Sequence, residues 1–163
     1  MALFVHLTPE KNVSRILRNG IARARKRINC PHGVFAMPVT RNFYVSHQWL
    51  RELKRQGRET VAAVYFRIPD NTMVWIGHYR RSHRQMTAAQ ASALIARQPN
   101  AEGYEVIIPG RITRPQLHRV KRLRQIVGWR YYPGAHGKQP CRCPVCQRGD
   151  YGSRRIREKF ETN

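Results

Sequence analysis

The chain predicts an α+β domain, and three observations carry that reading. Short apolar stretches of strand character recur at residues 2–6, 33–39, 61–68, 73–76 and from Glu105, with short amphipathic helical patterns between them. At 163 residues and 41% hydrophobic, the chain can bury one ordinary core. From Gly128 onward Pro, Gly, Cys and aromatic residues dominate, which marks a small tail in need of a staple. The expected organisation is therefore a domain over residues 1–127 and a Cys-rich, basic tail over 128–163. Internal repeats and low-complexity segments are absent.

Residues 2–6 read as an apolar strand that ends on His6. Thr8-Pro9-Glu10 then reads as a helix start, with Thr8 as N-cap, Pro9 at the first helical position and Glu10 where the helix dipole favours a carboxylate. Val13, Ile16, Leu17 and Ile21 make the apolar stripe of that helix, and Gly20 supplies its stop. Residues 23–27, Arg-Ala-Arg-Lys-Arg, have no apolar period and form a basic connection. The second strand, residues 33–39, leads through Thr40 into a helical pattern with Phe43, Trp49 and Leu50, with Tyr44 in its first turn. Gln56-Gly57-Arg58 breaks that pattern, and Pro69-Asp70-Asn71 ends the strand over 61–68. Thr87 caps a helix through Ala88, Ala91, Leu94 and Ile95, and Gln98-Pro99-Asn100 leads into the strand that carries Glu105. Residues 111–127 are expected to be helical or irregular, with Leu117, Val120, Leu123 and Ile126 buried.

The charge narrows the partner. Thirty-one Lys and Arg against nine Asp and Glu give a formal charge of +22, so a polyanion is the natural partner because neutralising phosphates releases counterions. Nucleic acid leads and an acidic membrane surface comes second. Residues Arg23, Arg25, Lys26 and Arg27, with Arg148, Arg154 and Arg155 of the tail, are the candidate phosphate contacts, although a basic loop also serves simply to stay solvated. No apolar run approaches the roughly 20 residues that span a bilayer, and the first residues lack a charged-then-apolar leader. The expectation is a cytoplasmic, nucleic-acid-associated protein.

Against this basic background Glu102 and Glu105 are the only acidic residues between Asp70 and Asp150. A carboxylate at the mouth of an apolar strand, in a stretch so poor in acids, is a candidate for chemistry. Glu105 is the first choice and Glu102 the fallback. Cysteine usage points to a metal. Cys143-Pro144-Val145-Cys146-Gln147-Arg148-Gly149 presents two thiolates to one zinc, and Cys141 adds a third. Cys30 is the expected fourth ligand, with His32 and His136 as competitors, and through Cys30 the metal would staple the tail to the domain.

A histidine ending the first strand, a tyrosine after the second and a glutamate opening a late strand follow an order that resembles the His-Tyr-Glu lineage of the ADP-ribosyltransferase superfamily. Val5-His6-Leu7-Thr8 is similar to that family's His-x-Thr/Ser signature. The stretch from Gly33-Val34-Phe35-Ala36 to Tyr44 is similar to its strand, loop and tyrosine-bearing helix, and Tyr104-Glu105-Val106-Ile107-Ile108 to its glutamate strand. Asn12-Val13-Ser14-Arg15-Ile16-Leu17 and the basicity also look like the thymidine-modifying DNA ADP-ribosyltransferase toxins. This chain is shorter than those toxins and carries the cysteine tail, so base identity does not transfer.

The resemblance spans roughly residues 4–118 and implies a split β-sheet core with NAD as substrate. It implies Glu105, His6 and Tyr44 as catalytic residues and His6, Thr8, Phe35 and Tyr44 as the NAD-binding set. Glu105 would face the positive charge of an oxocarbenium-like state, His6 would bind a ribose hydroxyl, Thr8 would support that end, and Tyr44 would stack on nicotinamide. The acceptor implied is nucleic acid, DNA before RNA and single strands before duplex. Two other functions fit the same residues: a zinc-containing nucleic-acid-binding module without catalysis, and an NAD-dependent RNA 2′-phosphotransferase, whose further Arg and His positions are not evident here. An antagonist or hydrolase partner is not readable from the residues.

Overall fold

The computed structural model describes residues 1–24, 31–50, 53, 61–79, 81–99, 101 and 103–123, the side chains of residues 43 and 44 excepted. These build an α+β fold around a seven-stranded sheet in which every pairing is antiparallel. The strands are β1 (Ala2–Pro9), β2 (Val34–Pro38), β3 (Val61–Ile68), β4 (Met73–His78), β5 (His83–Thr87), β6 (Tyr104–Ile108) and β7 (Leu117–Arg122), in the order β5-β4-β6-β2-β1-β3-β7. Helices α1 (Val13–Asn19), α2 (Phe43–Ser46) and α3 (Ala88–Arg97) connect them.

The sheet changes partners at β2. Its C-terminal half pairs with β1 as Phe4↔Pro38 and Val5↔Met37, while its N-terminal half pairs with β6 as Val34↔Ile108, Phe35↔Ile107 and Ala36↔Val106. The β1–β3 ladder, in contrast, runs unbroken from Ala2↔Ile68 to Pro9↔Val61. Beyond Val5 the first strand therefore follows β3 and parts from β2. The sheet is two half-sheets joined along a short seam, and His6 sits where the seam opens.

Several expectations meet the structure closely. The strand over Val61–Ile68 has the predicted bounds, and Thr87 caps α3 through a reciprocal pair with Gln90, burying Ala88, Ala91 and Ile95. Gly20 ends α1 at φ +79°, donating to the Ile16 carbonyl. A Cβ there would lie 2.0 Å from the Ile112 oxygen, because the chain passes Ile112 closely to form the Ile21↔Ile112 bridge. Ile16 and Ile21 are buried, whereas Leu17 is exposed.

Three readings are corrected. Thr8 is not a helix N-cap: the ladder with β3 holds its backbone through Pro9, Glu10–Asn12 form a 3-10 turn, and α1 starts at Val13. Residues 111–123 are not helical in the main. Arg114–Gln116 make a single 3-10 turn and Leu117–Arg122 form β7, where the spacing of three between Leu117, Val120 and Leu123 had imitated a helix. Strand β5 has no counterpart in the sequence reading, because His-Arg-Gln-Met-Thr at a sheet edge shows no apolar alternation. Ile126 and the tail over 128–163 lie outside the described residues.

Candidate active site

The imidazole of His6 bridges the opening seam. Its Nδ1 lies 2.7 Å from the Phe35 carbonyl oxygen on β2. A carbonyl only accepts, so Nδ1 carries the proton and, in the neutral ring, Nε2 is left as an acceptor. Burial pushes the His6 pKa down, against the opposing pull of the Phe35 carbonyl. The ring is thereby held neutral and in one tautomer. Two residues on, the buried Thr8 hydroxyl accepts from Asn12 Nδ2 at 3.2 Å. Asn12 in turn contacts Arg15 at 3.5 Å, which ties the end of β1 to the first turn of α1.

Glu105 opens β6 on the other side of β2. It is buried, and its Oε1 lies 3.0 Å from Nε2 of His83 on β5, with both side chains nearly out of solvent. Strand β4 runs between them, and the residue it places at that rung is Gly77, paired with Glu105 on one side and His83 on the other. Alternation would put any side chain at residue 77 on the same side of the sheet as both partners. A Cβ at Gly77 would lie 2.9 Å from His83 Cγ and 2.8 Å from the Ser82 carbonyl oxygen. The missing side chain is what lets the imidazole reach across β4 to the carboxylate. A buried carboxylate without a donor is costly, and His83 supplies Glu105 with one at Oε1.

The approach to Glu105 is fixed by the segment after α2. Gln48 uses both ends of its amide on the preceding loop: Nε2 donates to the Ala101 carbonyl at 2.9 Å, and Oε1 accepts from the Gly103 amide at 2.6 Å. Trp49 Nε1 donates to the Tyr104 carbonyl at 2.9 Å. Gly103 itself has φ +78° and lies against the His78 ring, so the turn into β6 depends on it. Helix α2 begins where Asn42 Oδ1 accepts from the Val45 amide, which sets Tyr44 in its first turn. The tyrosine-bearing helix and the glutamate strand are therefore mechanically joined through Gln48 and Trp49.

No family model, curated protein or solved structure matches the chain.

The expected site residues are thus distributed unevenly. His6 and Phe35 meet directly, Thr8 braces the same end through Asn12, and Glu105 stands on the strand beyond β2. Counted through the ladders, Glu105 falls on the Val5 side of the sheet and His6 on the other, so the two can line one cleft only where β1 and β2 part. Arg23 is exposed just beyond the Ile21↔Ile112 bridge, and His32 is also exposed. Arg25, Lys26, Arg27, Arg148, Arg154 and Arg155 lie outside the described residues, as do Cys30, Cys141, Cys143, Cys146, His136 and Glu102.

Sequence reasoning missed His83, Gln48 and Trp49. Gly77 was the available signal for the first, since a glycine inside Met-Val-Trp-Ile-Gly-His marks a place where another group approaches a strand closely. Gln48 also bonds the nearby Val45 carbonyl, but its bonds to the loop before Glu105 span 53 and 55 residues, and nothing local marks them. Among the described residues no helix is long and apolar enough to cross a membrane.

Proposed function

We propose that the protein is an NAD-dependent mono-ADP-ribosyltransferase that modifies nucleic acid. The observation that carries this reading is the buried Glu105 carboxylate, bonded to His83 and standing on the strand next to β2, whose Phe35 carbonyl fixes His6. A carboxylate removed from water and fixed by a donor is preorganised to face positive charge, because it need not reorganise as that charge develops. Cleavage of the nicotinamide–ribose bond sends the bonding pair to nicotinamide and leaves such charge on the ribose carbon. The acceptor then bonds to that carbon and gives up its proton. Glu105 faces the developing charge, and the neutral His6 offers Nε2 to a ribose hydroxyl. Thr8, tied to Asn12, stiffens that end, while Phe35 lends its backbone and Tyr44, in the first turn of α2, would stack on the ring that leaves.

The charge of +22 supports a nucleic-acid acceptor, since a dinucleotide substrate needs far less. Zinc belongs to the same proposal, with Cys141, Cys143 and Cys146 as ligands and Cys30 as the fourth. Its proposed role is to staple the tail to the domain.

The test is release of nicotinamide from labelled NAD with single-stranded DNA, duplex DNA, RNA and protein offered in parallel. Glu105→Ala is expected to lower turnover by about 10²-fold or more while NAD binding weakens far less. Full turnover in that variant removes Glu105 from the chemistry. Nucleic-acid binding by a wild-type protein that releases no nicotinamide with any acceptor would replace the enzyme by a binding module.

A further inference from the structure

Four aromatic rings gather at the turn that leads into Glu105. Trp49 Nε1 donates to the Tyr104 carbonyl, and the Tyr79 amide donates to the Gly103 carbonyl at 2.7 Å, so both residues are tied to the two positions before the carboxylate. The Trp49 and Tyr79 rings meet edge to face, with centroids 5.4 Å apart and planes at 62°. His78 and Tyr104 make a second such pair at 5.9 Å. Gly103 precedes Glu105 by two residues, at most roughly 7 Å of chain, so the cluster borders the mouth of the strand that carries the carboxylate.

Packing accounts for part of this cluster. Trp49 is half-buried, and its indole N–H is used on the turn. Tyr79 differs, because it is 41% exposed, and among the described residues no other Phe, Tyr or Trp is exposed. One exposed aromatic is ordinary on a protein surface. Two things set Tyr79 apart: Trp49 braces its ring, so little side-chain freedom is left to lose on binding, and its surroundings are cationic. From Met73 to Thr87 the hairpin of β4 and β5 carries three Arg and no Asp or Glu. Arg81, whose amide closes a turn onto the His78 carbonyl, and Arg84 are exposed, and among the described residues neither is paired with a carboxylate. A nucleobase on a phosphate chain complements both features, since the base stacks on the ring and the phosphate meets the cation. Bases in a duplex stack on one another, so the base that fits here is an unpaired one.

We infer that Tyr79, braced by Trp49, is a stacking shelf for an unpaired base of a single-stranded nucleic acid, with Arg81 beside it for a phosphate. The inference rests on the proposed acceptor and adds a base contact at the mouth of β6 to the phosphate contacts expected of the basic loop and tail. Stacking uses the face of the ring and tolerates any base, so the shelf holds the strand without reading its sequence.

The experiment measures, over a salt series, the binding of a fluorescent eight-nucleotide DNA single strand and of the same strand made abasic throughout. The proteins compared are wild type, Tyr79→Ala, Tyr79→Phe, Arg81→Ser and Leu17→Ala, the last removing an exposed apolar side chain on α1, far along the chain from the turn. Tyr79→Ala should bind the normal strand at least about five-fold more weakly, the lower end of what one stacked base contributes, and should keep the wild-type salt slope because no phosphate contact is lost. Tyr79→Phe retains the ring, so it and Leu17→Ala should stay within about two-fold of wild type. Arg81→Ser should make the log–log slope shallower by about 0.7, the value for one phosphate on a single strand. On the abasic strand Tyr79→Ala should bind as wild type does. Tyr79→Ala that holds the normal strand as tightly as wild type overturns the inference. An equal loss on the abasic strand overturns it too, since a displaced Trp49 or a disturbed turn would weaken both strands alike, and so does a Tyr79→Phe protein as weak as Tyr79→Ala, which assigns the effect to the hydroxyl. An Arg81→Ser slope equal to that of wild type overturns the phosphate contact. A wild type that binds no single strand overturns the acceptor reading together with the shelf, whereas binding that depends on Tyr79 as expected, in a protein that releases no nicotinamide with any acceptor, supports the shelf and overturns the enzyme alone.

Discussion

Replacing Gly77 by alanine separates Glu105 from His83 without touching either side chain. The added Cβ would stand 2.9 Å from His83 Cγ, 3.0 Å from His83 Cα and 2.8 Å from the Ser82 oxygen, all closer than the 3.4 Å at which ordinary contact begins. Two of those atoms are backbone, so the edge strand has to move outward or the imidazole has to turn away. A retreat of about half an ångström takes the 3.0 Å bond between His83 and Glu105 to the limit at which it ceases to be one. Overpacking alone costs about 1–3 kcal/mol, and loss of a hydrogen bond to a charged group about 1.5–3 kcal/mol. Because breaking the bond is one way the crowding is relieved, the two do not add fully, and about 2–4 kcal/mol is expected. For a chain of this length that lowers the melting temperature by roughly 4–16 °C. Turnover should fall by about 10-fold or more, since the carboxylate loses the donor that His83 supplies and with it part of its preorganisation. Gly110→Ala is the control, because a Cβ there meets nothing within 4 Å. Thermal melts and nicotinamide release on the two variants decide the matter. A Gly77→Ala protein as stable and active as Gly110→Ala would refute the claim that an absent side chain brings His83 to Glu105.

The remaining predictions concern His6 and the metal. Since burial lowers the His6 pKa, the unfolded chain binds that proton more readily, and the stability this group contributes is present above the unfolded value near 6.5 and lost as pH falls through the folded one. His6→Asn keeps a donor for the Phe35 carbonyl but does not titrate, so denaturant melts between pH 7.5 and 5 should show a smaller loss on acidification than in wild type. Equal slopes would mean the His6 proton is not linked to folding. One zinc per chain is expected by metal analysis, with Cys143→Ser or Cys146→Ser lowering the melting temperature because metal binding is part of the folding free energy. Protein without zinc and with four titratable thiols in the native state would dispose of the site.

Some of this architecture is written locally. The bounds of β3, the Thr87–Gln90 capping pair, the stop at Gly20 and the separate apolar runs of β1, β2 and β6 depend on side chains within a few residues of one another, so the amino-acid sequence alone determines them. It also singles out Glu105, because scarcity of acids is a property of the chain and not of its folding. Other features exist only once distant segments meet. Whether Thr8 caps a helix or extends a strand was decided by Val61 and Ala62 arriving beside it, since a ladder outweighs a single side-chain cap. Residues 117–122 became a strand because β3 offered an edge, and their three-residue spacing carries no information about that. The opening beside His6 comes from β2 changing partners, and the Glu105–His83 contact from three strands in register over one glycine. Neither can be read from spacing, because each is a relation between strands that the backbone ladders alone set.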